Sequence, residues 1–133
     1  VLFLGFYFFL EFVGGFGGRS LYIHAGMIFG TVMALNVWMV IWPAQKRIIR
    51  ATKEGTAPDA VDVAQAGLRS RHNTFMSVPL IFLMVSNHYP TIFGASTPLA
   101  GLPMRDWYLI LLVAIGFIAT RLMYGKSAKV GGF

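Results

Sequence analysis

Apolar residues run along this chain in long stretches. Those at 20–43, 74–88 and 107–124 approach or reach the roughly 20 residues a helix needs to cross about 30 Å of hydrocarbon. The pattern predicts an all-α, integral membrane helical bundle with three full transmembrane helices. The opening run "VLFLGFYFFLEFVGGFGG", about 1–18, is equally apolar but offers only about 13 residues before its glycines, or about 20 Å of helix at 1.5 Å per residue. It reads as a partial N-terminal helix whose beginning is absent; without an initiator Met or a basic leading region it does not read as a signal peptide. Between the spans lie a connection at 44–73, a loop at 89–106 and a tail at 125–133, all within one membrane domain.

The connection at 44–73 carries local signals of its own. "PAQKRIIRATKEG" continues the preceding span as a basic amphipathic turn or two and stops at Gly55. Thr56-Ala57-Pro58-Asp59 resembles a capping box, with the threonine side chain serving orphan amides. A short amphipathic helix from about Ala57 to Arg71 is expected to follow, with Val61, Ala64 and Leu68 on one apolar face.

Charge sets the orientation. Of eleven Lys and Arg residues, Lys46, Arg47, Arg50, Lys53, Arg69, Arg71, Lys126 and Lys129 lie in the 44–73 connection or the tail, whereas Arg19 and Arg105 stand alone in the other two connections. The positive-inside rule therefore makes 44–73 and the tail cytoplasmic and 89–106 external, on a multi-pass path through the membrane. Tyr22, Tyr89, Trp107 and Tyr108 then sit at the outer boundary, and Trp38, Trp42 and Tyr124 at the inner one, as interfacial aromatic belts do. A net charge of +6 would suit nucleic acid, but topology accounts for the basic residues and no nucleic-acid partner is expected. With 56% hydrophobic and 12% charged residues the composition lies far from that of a soluble domain. The absence of cysteine excludes disulfides, thiolate metal sites and a covalently attached haem c within this chain.

Polar residues inside apolar runs are the candidates for chemistry. Gly26, Gly30 and Ala34 recur every four residues and form a small-residue stripe that lets another helix approach closely; Thr31 and Asn36 can hydrogen-bond between helices. His24 and His72 stand about 27 Å apart, since 18 residues of helix separate His24 from Trp42, and cannot share a site. His24 and His88 share a depth near the outer side. Two imidazoles on facing helices can ligate a haem b, or neighbour another redox cofactor, and these two are the candidate cofactor residues. The alternative is that His24 bonds a neighbouring helix while His88, with Asn87, caps a helix end before Pro90. Glu11 and Arg121 are the remaining intramembrane charges: Arg121 is close enough to the boundary to snorkel, and Glu11 requires a polar partner, a proton path or a pore. No phosphate-binding loop, metalloprotease motif or nucleophile elbow is present, no metal site is expected beyond haem iron, and no catalytic residue stands out.

Taken together, "LYIHAGMIFGTVMALNVWMVIWPAQKRII", "GTAPDA", "GLRSRHNTFMSVPLIFLMVSNHYP" and the terminal "RLMYG" resemble the later half of the membrane domain of bacterial membrane-bound urate hydroxylases, the urate oxidase N-terminal family. The resemblance implies a multi-helix membrane protein in an electron-transfer setting, with cytochrome c as an electron partner. His24, Asn36, Pro43, Arg71, His72, Asn73, Pro79, Asn87, His88 and Pro90 fall on the matching segments. Membrane lipids, and other membrane subunits or the rest of a longer chain, are the expected contacts. A non-catalytic accessory subunit of a larger respiratory or photosynthetic complex is the rival, and a transporter rests only on Glu11 and Arg121.

Overall fold

A computed structural model describes residues 2–127. Helix α1 (Leu2–Phe12) rises to a glycine-rich turn and α2 (Gly18–Leu35) descends from it. The descent continues without a break through a π-helical segment, Asn36–Ile41, into α3 (Trp42–Lys53). Pro43 explains the irregularity: it has no N–H to give and its ring crowds the carbonyl four residues back, so the α register fails just ahead of it. In the wider turns the N–H of Trp42 reaches the carbonyl of Val37. Gly55, at φ +70°, turns the chain as expected.

Helix α4 (Ala60–Ser86) climbs back as one 27-residue helix. The short helix from Ala57 to Arg71 and the separate span at 74–88 are therefore a single element, because nothing between Ala60 and Val78 breaks a helix and the polar run at Arg69–Thr74 only changes its surface. Its cap is Asp59, whose Oδ1 accepts from the Val61 N–H at 2.8 Å; Thr56 donates its hydroxyl to the Ala51 carbonyl instead. After α4 come α5 (Pro90–Phe93) and a two-residue hairpin, β1 (Pro98–Leu99) with β2 (Leu102–Pro103), closed by Ala100 and Gly101 at positive φ. Helix α6 (Met104–Ser127) descends to the end of the described region; Lys129 and the rest of the tail lie outside it.

Among the described residues two helices are long and apolar enough to cross a membrane: the 36-residue Gly18–Lys53 and the 23-residue Met104–Lys126. Three full spans were expected; among the described residues α4 does not qualify, because its lower half carries Arg69, Arg71 and His72. The partial first helix, α1, is apolar but only 11 residues long. Helix α4 packs between α2 and α6, and α1 leans on α2. The core of Tyr7, Leu10, Leu21, Tyr22, Ala25, Phe29, Leu83 and Leu109 gathers at the upper end, where α1 and α4 finish and α2 and α6 begin. Below this core, the close approach of α6 to α4 is set by glycine: a Cβ on Gly116 of α6 would lie 2.8 Å from the backbone N of Pro79 on α4.

Candidate functional site

The upper end holds a buried polar cluster inside that core. Tyr7 and Glu11 are four residues apart and so share a face of α1. Arg105 and Asp106 open α6, where the N–H of Arg105 donates to the Ala95 carbonyl at 3.0 Å and the indole N–H of Trp107 to that of Leu99 at 2.8 Å, fixing the helix start to the preceding loop. The Arg105 guanidinium donates to Glu11 Oε1 at 2.6 Å, and its Nε lies 3.6 Å from Asp106 Oδ1. Tyr7 donates to the same Asp106 Oδ1 at 2.7 Å, and the Tyr22 hydroxyl donates to the Arg105 carbonyl. Gly18 completes the fit, since a Cβ there would collide with the Phe93 carbonyl and lie 3.3 Å from the Arg105 side chain.

Glu11 thus has the polar partner that its position demanded. Asp106 is fully buried, the Glu11 side chain is 7% exposed and that of Arg105 21%, so only the arginine reaches the surface. Glu11 Oε2, Asp106 Oδ2, Arg105 Nε and, at the end of α4, Asn87 Oδ1 are buried without a hydrogen-bond partner. Such groups are rare in folded proteins and call for an explanation such as bound water, an ion or a chemical role.

His24 lies on α2 near this end. Its Nδ1 is 2.8 Å from the Ser20 carbonyl, which can only accept; Nδ1 therefore carries the proton and Nε2 is left free. The ring meets Phe16 edge-on at 4.7 Å. His88 is exposed just past α4, its N–H closing on the Val85 carbonyl at 3.0 Å, while the Asn87 amide donates to Leu83 at 2.8 Å in the manner of a helix cap. No hydrogen bond or ring contact joins His24 to His88 among the described residues. Of the small-residue stripe, Gly26 is buried against Met84, Leu80 and Leu83 of α4; Gly30 has no neighbour where its Cβ would be, and Ala34 is exposed.

Further down, Asn36 donates to Asn73 Oδ1 at 2.8 Å and Asn73 to the Met33 carbonyl at 3.0 Å, the interhelical bonding foreseen for Asn36. A cavity of about 290 Å³ beside them is lined by Asn36, Arg69, His72, Phe75 and Phe117, and an open apolar groove of about 610 Å³ by Phe3, Phe6, Phe29, Val32 and Met76. At the lower end Arg47 grips Asp62 with two hydrogen bonds, Nε to Oδ2 at 2.7 Å and Nη2 to Oδ1 at 2.5 Å, tying α3 to α4. That pairing holds the Asp62 carboxyl below its ordinary range.

The sequence does not single out Tyr7 and Asp106, while it shows Arg105 only as a lone charge of the external loop and Tyr22 only as part of the outer aromatic belt, where the structure instead buries it completely. The signal available was the four-residue spacing of Tyr7 and Glu11 and the Arg-Asp pair at the mouth of an apolar run. The family described as urate oxidase N-terminal matches residues 2–130, nearly the whole chain. No curated protein and no solved structure matches it.

Proposed function

This chain belongs to the urate oxidase N-terminal family, and on that footing we propose that it is a multi-pass domain of a bacterial inner-membrane oxidoreductase of the urate hydroxylase kind. The family match is the observation that carries the reading. Two apolar helices of spanning length support the membrane setting, with the upper end outside and the Arg47 end in the cytoplasm on the positive-inside rule.

His24 and His88 would hold a haem b or another redox cofactor near the upper end, and such a group would supply one-electron chemistry toward cytochrome c. Of the two histidines, His24 suits ligation better: a carbonyl on Nδ1 fixes the tautomer and orients the ring, leaving Nε2 for a metal. His88, exposed beyond α4, meets a cofactor only together with a neighbouring subunit or the rest of a longer chain.

An accessory role within a larger complex is the second reading. Trp38, Met39, Leu122 and Met123 all face outward, a surface that lipid tails or the helices of another subunit would cover. The absorption spectrum of the intact protein, purified from its own membrane, separates the two. The oxidoreductase reading expects a redox-active band that shifts or disappears in His24→Ala. A preparation without any redox-active chromophore moves the assignment to the accessory role.

A further inference from the structure

The polar cluster at the upper end has an unbalanced charge. Glu11 and Asp106 bring two negative charges and Arg105 one positive, a net −1 in a site whose aspartate is fully buried. An uncompensated charge out of water costs several kcal/mol, far more than a surface group would lose. The groups facing the site do not supply the missing positive charge. From α1 come Tyr7 and Glu11, and from α2 Tyr22, with Arg19 exposed and His24 turned to Phe16; α4 ends in Asn87 and the exposed His88, and α6 adds Tyr108.

The orphaned atoms say what is lacking. Within the cluster Glu11 Oε2 and Asp106 Oδ2 are unpartnered acceptors, against the donor Arg105 Nε. Hydrogen-bond donors and one positive charge are short. A multivalent metal ion is a poor solution, because no group of three or more His, Cys, Asp or Glu side chains able to hold one occurs among the described residues. A proton meets both needs at once. On a carboxyl oxygen it removes the excess charge and turns an orphaned acceptor into a donor.

We propose that Tyr7, Glu11, Arg105 and Asp106 form a proton-exchange site, in which one proton is shared between the two carboxyl groups through water and leaves to solvent water beside Arg105, whose guanidinium stays charged throughout and is the most exposed of the three charged groups. Exchange makes and breaks only O–H bonds: a carboxylic acid gives its proton to water and becomes a carboxylate, and no electron moves. Tyr7, bonded to Asp106 Oδ1, is a positioning residue that holds the carboxyl plane and keeps Oδ2 turned away from it. The site stands on the charge count and the unpartnered atoms, and would hold a proton whether or not the domain carries electrons.

Infrared spectroscopy of the intact protein in lipid vesicles, without substrate, reads the proton directly. A protonated-carboxyl C=O band is expected near neutral pH, moving to lower frequency in D2O. It should vanish or shift in Glu11→Gln or Asp106→Asn, and move in Tyr7→Phe, which keeps the ring and removes only the hydroxyl. If Asp106→Asn does not fold, Glu11→Gln and Tyr7→Phe report on the same band. Spectra with no protonated-carboxyl band that responds to any of these variants between about pH 5 and 9 overturn the proposal. So does recovery of the balance by an alkali cation, seen as thermal stabilisation by Na+ or K+ that Glu11→Gln abolishes. Because no substrate or cofactor signal is read, failure of the redox assignment leaves this result intact, and the reverse.

Discussion

Tyr7 and Asp106 stand 99 positions apart in the chain and meet through a 2.7 Å hydrogen bond inside the core. The bond joins the first helix to the last. Removing the phenol hydroxyl leaves a buried carboxylate oxygen with one acceptor site unmet, which costs about 1–3 kcal/mol. Thermal unfolding in detergent should show that loss for Tyr7→Phe and no measurable change for Tyr89→Phe, whose ring is exposed.

Among the described residues Arg105 is the cation that pairs in the upper cluster. Arg105→Gln leaves the negative charge held by the two buried carboxyl groups without its cation, and breaking a buried pair on one side costs about 3–5 kcal/mol. Combining it with Glu11→Gln should restore part of the stability, since only one carboxyl group is then left without the arginine. A double variant less stable than Arg105→Gln alone would mean that Glu11 is held by something other than the arginine.

The glycines grade by what stands opposite them. Gly116→Ala drives a methyl to 2.8 Å from the Pro79 backbone, which cannot yield without moving a helix, and should destabilise by about 1–3 kcal/mol. Gly18→Ala, against the Phe93 carbonyl, should do the same. At Gly26 the opposing atom is the flexible end of Met84, so Ala is tolerated there and Leu is not. Gly30→Ala meets nothing within the chain; destabilisation there, seen only in the assembled protein, would place a partner helix on that face.

At the lower end the sign of the pH dependence follows from Asp62. Its folded pKa is depressed, chiefly by the hydrogen bonds from Arg47, so the contact contributes fully above the unfolded value of about 3.9 and is lost as pH falls through the lower folded value. Arg47 is 57% exposed, so solvent screening keeps the effect small. Comparing acid unfolding of the parent with Asp62→Asn should show a difference near neutrality that closes at acid pH.

Much of this arrangement is legible in the chain and some of it is not, for reasons that differ by residue. Long apolar runs and the stop at Gly55 show in sequence because they are local. The partner of Glu11 does not, since Arg105 lies 94 residues away and reads alone as a loop residue. The sequence divides α4 because Arg69, Arg71 and His72 look like a membrane boundary; polarity marks where a helix meets water but does not end it, and α4 runs on through Pro79 to its cap at Asn87. Asp59 rather than Thr56 caps α4 because the helix begins three residues later than the capping-box pattern places it. The Gly26 stripe shows the limit of a spacing argument: the periodicity is real, yet one of its three residues faces α4 within the chain.

For the oxidoreductase role of the urate hydroxylase kind proposed for this chain, urate is the electron donor to try first. Adding urate to the oxidised intact protein and following its absorption spectrum tests that role most directly. The account predicts that urate reduces a bound chromophore, that cytochrome c then reoxidises it, and that His24→Ala weakens or abolishes the signal. A bound chromophore that dithionite reduces and urate leaves oxidised, in protein of full length and native lipid, would contradict it.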